Sequence, residues 1–307
     1  MAPMFLVSNV VMIKEAMQAG ITGAIPALNY RTDSQLRAAI DELKTQEGYF
    51  GINLIVNSSN IKYKSQLETC LEKKVDFIIT SLGNPKEVID KCKPLGVKVI
   101  CDVIDLKYAH KVEALGADAV IAVNSNAGGH AGNINPEQLI GELKTNLSIP
   151  IISAGGVSNS KDIKDHISYG ASGVSVGTVF IASNEAGVSQ EYKQALVDYQ
   201  AKDVVRTTKM SGSALTVINT PYVQSIGTEA NWLEKLMHSN KWIKKYVKMI
   251  IAVNGLRKIK KATNQATYKT VWVAGPVIEH IHAVRPISEI IGDLTQGLKS
   301  EQKQINH

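Results

Sequence analysis

The 307-residue sequence predicts an α/β fold: a closed (β/α)8 TIM barrel with a C-terminal helical extension capping the barrel mouth. Three observations carry that prediction. Eight short β-rich runs alternate with amphipathic segments of helical period. Most of these runs are apolar on both faces, as parallel strands covered on both sides must be. Three of the later runs end in glycine-rich turns, at the strand ends where barrels carry their sites. Repeated βα units with short connections imply right-handed crossovers. Eight such units favour closure into a barrel, and an open doubly wound sheet is the main rival.

The expected strands are Pro3–Val7, Gly23–Pro26, Gly51–Val56, Asp76–Thr80, Val97–Val103, Ala119–Val123, Pro150–Ser153 and Gly173–Val176. The expected helices between them are Ser34–Lys44, Tyr63–Lys73, Lys86–Cys92, Lys107–Leu115, Pro136–Thr145 and Lys161–Tyr169. In the first of these, Leu36, Ile40 and Leu43 recur at helical spacing with charges between them. The strands are finished by residue 176. We therefore assign residues 1–188 to the barrel core and 189–307 to a mainly helical extension packed on it. In that extension Glu191–Gln200 and Trp232–Ala252 read as helices, and the chain closes with Val277–Val284 and Ile287–Leu298. No low-complexity linker separates the two parts, which argues against a freely hinged second domain.

The sixth run leads into Asn126-Ala127-Gly128-Gly129-His130-Ala131-Gly132. Glycines let the backbone approach a ligand closely, and a histidine exchanges protons near neutral pH. This turn makes His130 a candidate catalytic or ligand-contacting residue. The seventh run ends in Ser153-Ala154-Gly155-Gly156-Val157, followed by Ser158-Asn159-Ser160 at a helix start. Ser or Asn there can cap the helix, and free amides at such a start attract phosphate. The eighth run ends in Gly177-Thr178. In barrels the loops after strands 7 and 8 are the usual phosphate-binding pair. The plain alternative is that these glycines only make tight βα turns. His110, His166 and His238 read as helix-face residues. His280 and His282 form a His-x-His pair without a third ligand nearby, so no metal site is expected.

Composition is that of a soluble globular protein: 44% apolar, 20% charged, net charge +6. Much of the excess lies in Lys241–Lys261, which holds eight basic residues and no acidic one. A solvated helix face is the simplest reading of that run, and no nucleic-acid motif accompanies it. Membrane or nucleic-acid partners are not expected. Cys70, Cys92 and Cys101 give neither a disulfide framework nor a zinc pattern. Reduced thiols fit a cytoplasmic protein. No apolar run reaches the ~18 residues needed to span a bilayer, and the N-terminus lacks signal-peptide features.

Several of these stretches resemble the nitronate monooxygenase family, also called 2-nitropropane dioxygenase-like proteins. They are Ala2-Pro3-Met4, Gly51-Ile52-Asn53-Leu54, the Ala127–Gly132 turn, Ala154-Gly155-Gly156 and Val176-Gly177-Thr178, with Ala274-Gly275-Pro276 and Val284-Arg285-Pro286-Ile287 in the tail. The glycine–histidine turn is the specific part. The resemblance implies non-covalent FMN at the barrel mouth. Met4 and Asn53 would lie against the flavin, and Gly128 and Gly129 would line it. Ala154, Gly155, Gly156, Gly177 and Thr178 would hold the phosphate end. His130 would be the catalytic base or substrate-orienting group. The implied reaction converts an alkyl nitronate and O2 to a carbonyl compound and nitrite, the nitronate reducing the flavin by one electron. A homodimer is an assembly such barrels take.

The chain departs from the family pattern in places. Asp102 stands where relatives carry a basic residue, Val179 where they often carry Arg, and Pro276 where Gln is usual. Ser211-Gly212-Ser213-Ala214 lacks a common Arg. These changes bear on electron donor and substrate rather than on fold or FMN. The alternatives are an FMN- and NAD(P)H-dependent enoyl-thioester reductase or quinone reductase on the same barrel, and a flavin-free phosphate-binding barrel.

Overall fold

The computed structural model describes residues 1–57, 60–208, 214–229 and 271–298. Seven parallel strands form one curled sheet in chain order: β1 (Gly23–Pro26), β2 (Phe50–Ile55), β3 (Phe77–Ser81), β4 (Lys98–Val103), β5 (Ala119–Val123), β6 (Ile151–Ala154) and β7 (Gly173–Ser175). The helices between them are α2 (Asp33–Leu43), α3 (Tyr63–Glu72), α4 (Lys86–Cys92), α5 (Leu106–Ala114), α6 (Pro136–Asn146) and α7 (Ser160–Ser168), all within two residues of expectation. Their starts are chemically marked. Thr32 and Gln35 form a capping box on α2, and Asp105, Asn135 and Asn159 accept from N3 amides of α5, α6 and α7. Helix α1 (Val10–Gln18), capped by Asn9, was not expected from sequence; its β-branched start hid the buried stripe Met12, Ile13, Ala16 and Met17.

The expected first strand, Pro3–Val7, is a correction: it is a turn, not a strand. Pro3 has no amide to donate to a ladder. Leu6 takes a left-handed φ of 59°, and the amides of Val7 and Ser8 fold back onto the Met4 carbonyl. The eighth stave is supplied just upstream. Ala24 N donates to Met1 O on one edge of the sheet, and Ala2 N donates to Val176 O on the other. The seventh and eighth expected strands are therefore β6 and β7.

Alternate residues divide two cores. Val99, Cys101 and Val103 of β4 pack outward with Leu36, Ile40, Val88 and Val112 of the helices. Ala24, Ile79 and Ile121 fill the interior with Phe77, Ile100, Ile152 and Ala154. The β2–β3 register sets Gly51 opposite Phe77. A Cβ at Gly51 would fall 2.1 Å from Phe77 Cε2, so the ring fills the space a side chain would need.

After β7 come the one-turn helix α8 (Thr178–Ile181), α9 (Gln190–Asp198), an antiparallel hairpin of β8 (Val204–Thr207) and β9 (Leu215–Ile218), and α10 (Pro221–Ile226). The hairpin was not expected in a mainly helical extension; its four-residue strands are too short to show a period. A 3-10 turn (Pro276–His280) opens the closing segment Val277–Val284, and α11 (Ile287–Thr295) follows within Ile287–Leu298. Helix α11 packs against α1, α7 and α8. It occupies the place of an eighth outer helix that four-residue α8 is too short to fill. Its Ile287, Ile290, Ile291 and Leu294 share one core with Met12, Phe180 and Leu196. The expected Trp232–Ala252 helix and the basic run Lys241–Lys261 lie outside the described residues, as do His238 and Ser211–Ser213.

Candidate active site

The glycine–histidine turn follows β5 and is tied to its neighbours on both sides. Asn124, fully buried, accepts from Asn126 N (2.9 Å) and donates through Nδ2 to Gly155 O (2.9 Å). Gly155 has φ 106°, and a Cβ there would fall 2.4 Å from Ala127 N. Gly156, φ 84°, faces the Asn126 side chain. The two glycines are thus needed to seat the β6 turn on the β5 turn, as the plain alternative held. The amides of Gly155, Gly156 and Gly177 nevertheless donate to no group among the described residues. They sit at the ends of adjacent strands.

On its other side the turn meets the C-terminal tail. A Cβ on Gly128 would lie 2.8 Å from Gly275 N, and one on Gly275 would lie 2.5 Å from Asn126 O. Gly275 N in turn donates to Thr178 Oγ1 (3.1 Å). Gly129 and Thr216 of β9 exchange both backbone hydrogen bonds, at 3.0 and 2.8 Å. Arg206 of β8 donates to Ala131 O (2.7 Å), Gly132 O (2.9 Å) and Asn133 Oδ1 (2.7 Å). Between these two clamps stands His130, exposed and without a hydrogen-bond partner among the described residues. The protein around it still excludes part of its water, and this desolvation lowers the imidazole pKa below the ordinary 6.5.

Met4 sits in the turn before α1, its amide on Ser8 Oγ (2.9 Å), and a Cβ on Gly177 would meet Met4 Sδ at 3.4 Å. Ala154 ends β6 between Val123 and Ser175, facing the interior. One side of the mouth therefore gathers Met4, Gly128, Gly129, Ala154, Gly155, Gly156, Gly177 and Thr178. Asn53 stands apart on β2. Its Nδ2 donates to Ser81 Oγ (2.7 Å) on β3, and Ser81 Oγ donates to Asp102 Oδ2 (2.5 Å) on β4. Asp102 follows Ile100 on the inward face, so it points into the barrel and not toward the helices. Burial pushes its carboxyl up to about 6, against the lowering by Ser81.

Sequence reasoning missed Arg206, Thr216, Ser81 and Asn124. Only Asn124 carried a signal, an Asx residue at a strand end. His166 is not merely a helix-face residue: it is buried, with Nδ1 2.9 Å from Ser153 Oγ under the β6 turn. His110, His280 and His282 are exposed. Among the described residues no cluster of His, Cys, Asp or Glu has the makings of a metal site. No described helix is long and apolar enough to cross a membrane.

A curled parallel sheet whose β6 and β7 turns carry amides without a partner among the described residues, and whose β5 turn carries a histidine, defines the class: an α/β barrel with its candidate site at the mouth. The chain belongs to the nitronate monooxygenase family, whose model matches residues 16–297. That family is one of flavoproteins. A probable nitronate monooxygenase of Staphylococcus saprophyticus is 27% identical over 244 residues, 75% of this chain and 66% of that protein. A (3aS,4S,5R,7aS)-5-hydroxy-7a-methyl-1-oxo-octahydro-1H-indene-4-carboxyl-CoA dehydrogenase of Rhodococcus jostii is 30% identical over 201 residues, 65% of this chain and 56% of that one. The match thus spans less than two thirds of these relatives' length. The structure of FabK from Thermotoga maritima superposes with a TM-score of 0.80 at 26% identity, covering 99% of this chain and 94% of that one. A nitroalkane oxidase from Streptomyces ansochromogenes shares the fold, with a TM-score of 0.78 at 20% identity, covering 99% and 96%.

The residues present fit a flavin nucleotide. Three unpaired amides on adjacent turns suit a phosphate. Thr216 Oγ1, buried beside the histidine turn, has no hydrogen-bond partner among the described residues, and such an atom is normally satisfied by a ligand or water.

Proposed function

We propose that this protein is an FMN-dependent oxidoreductase of nitronate monooxygenase type, converting an alkyl nitronate and O2 to a carbonyl compound and nitrite. The observation that carries the reading is the set of free amides of Gly155, Gly156 and Gly177 beside Met4, next to a clamped turn that presents His130. FMN would supply the electron chemistry. In this reading residues 1–188 form the cofactor-bearing core and 189–307 the extension packed on it.

The chain's own contributions follow from the geometry. The β6 and β7 turn amides bind the phosphate, with the Thr178 hydroxyl beside them. Met4 and Asn53 border the ring system from two sides of the mouth. His130, held neutral at pH 7 by its lowered pKa, has a free ring nitrogen to accept a proton or orient a substrate oxygen. The two clamps on its turn keep that nitrogen in one place. Cys70, Cys92 and Cys101 are buried free thiols, in keeping with a cytoplasmic setting.

The test is the visible spectrum of purified protein, recorded anaerobically before and after an alkyl nitronate. Flavin bands that change on addition support the reading. A colourless protein that takes up no FMN refutes it. Flavin bands that answer only to NAD(P)H refute the nitronate assignment and favour the enoyl-thioester or quinone reductase.

A further inference from the structure

Asp102 is a carboxyl group aimed into the barrel with no countercharge among the described residues. It faces inward at the mouth end of β4, joined by Ser81 to Asn53 across three adjacent strands. Ser81 occupies one carboxylate oxygen, and Oδ1 has no partner among the described residues. No Lys, Arg or His among those residues pairs with it. The groups close enough to sense its charge are the Cys101 thiol beside it and the Tyr108 phenol of α5, both neutral at physiological pH. The Tyr108 hydroxyl is bonded to the Gly83 carbonyl above β3. The other inward neighbours, Ile100, Ile121 and Ile79, are apolar.

An ionised carboxylate in such a site repels a second anion, because the apolar barrel wall screens poorly. A protonated one has the opposite effect: its Oδ1–H becomes a donor toward the mouth. We propose that Asp102 is a specificity-determining residue: an anionic substrate enters this mouth together with a proton held on Asp102, while uncharged substrates enter without one. This rests on the proposed nitronate reading for the identity of the anion. The carboxyl's raised pKa, near 6, makes the proton available close to neutrality.

The test uses nitrate, a planar anion that does not titrate between pH 7 and 9, a range above the ordinary imidazole pKa and further above the lowered one of His130. Nitrate binding is measured by calorimetry, so it reads the site whether or not flavin is present. In the wild type the dissociation constant rises about tenfold per pH unit above the Asp102 pKa, as one coupled proton requires. In Asp102→Asn the dependence disappears, and at pH 8 nitrate binds about 100-fold more tightly than in the wild type. In the wild type, saturating nitrate raises the Asp102 pKa read from its carboxyl 13C shift by at least one unit, a measurement that needs no variant. Parallel pH profiles for wild type and Asp102→Asn overturn the proposal. So does failure of Asp102→Asn to bind nitrate at pH 8, or an Asp102 pKa that nitrate leaves unmoved. A protein without flavin whose nitrate binding follows Asp102 defeats the function proposed above and leaves this inference standing.

Discussion

Arg206 is the residue on which the placement of His130 can be tested without touching the histidine. Its guanidinium makes three hydrogen bonds to residues 131–133. A neutral-acceptor bond nets about 0.5–1.5 kcal/mol, and one from a charged donor somewhat more. Arg206 is exposed and the turn is half open to water, so water replaces much of what Arg206→Ala removes. A total near 1.5 kcal/mol is left, lost from the ordered turn rather than from the core. Since 1.4 kcal/mol is a factor of ten, the ratio of ordered to disordered turn falls about tenfold. We expect kcat to fall by up to about tenfold with Tm lowered by only about 2–4 °C. Arg206→Lys keeps the charge but loses the fork and recovers only part of the rate. Steady-state kinetics, flavin content and a thermal melt measure this. Wild-type kcat in Arg206→Ala would mean that the Gly129–Thr216 bridge alone holds the turn, and the clamp argument would fail.

Four further outcomes follow from the structure. His130→Ala should keep bound flavin and lose about 10²–10⁴-fold in turnover; wild-type turnover would remove the catalytic role. Because the folded-state pKa of His130 lies below 6.5, the acid limb of the kcat/KM profile falls only as the pH drops through that lower value; a profile between pH 5 and 8 in Asp102→Asn, which lacks the Asp102 titration, will show that limb alone. Gly155→Ala combines a φ of 106° with a Cβ 2.4 Å from Ala127 N; a strained backbone alone costs about 1–3 kcal/mol, so we expect a lower Tm and loss of flavin, checked by melting and absorbance. Ile291→Ala, in the shared core at 3% exposure, should destabilise by about 2–5 kcal/mol in denaturant titration.

Most of the barrel was legible because its signals are local. Strands such as Ala119–Val123 are continuous apolar runs between turn residues, and Lys86–Cys92 coincides with its expected helix. The glycine turns were legible for the same reason. What stayed hidden depends on contacts distant in sequence. Pro3–Val7 has strand composition, but the sheet edges are joined at Met1 and Ala2, and nothing in five residues announces that. Arg206 is an unremarkable residue of a short strand until the hairpin lays it against a turn some 75 positions earlier. Ser81 and Asp102 become a pair only through the β3–β4 register. The inward aim of Asp102 follows from strand alternation and was readable in principle once β4 was bounded; the absence of a partner cation among the described residues was not.

The ring of staves and helices is completed by Met1 and Ala2 at one end and α11 at the other. A ribosome delivers these pieces far apart in time. At about 5–20 residues per second, α11 emerges roughly 15–60 s after the residues it must cover. Throughout that interval the apolar flank made by Val7, Met12 and Ala16 lacks the cover of α11. Such long-range closure also slows folding once the chain is released. The nascent chain therefore carries an incompletely covered apolar flank until α11 arrives.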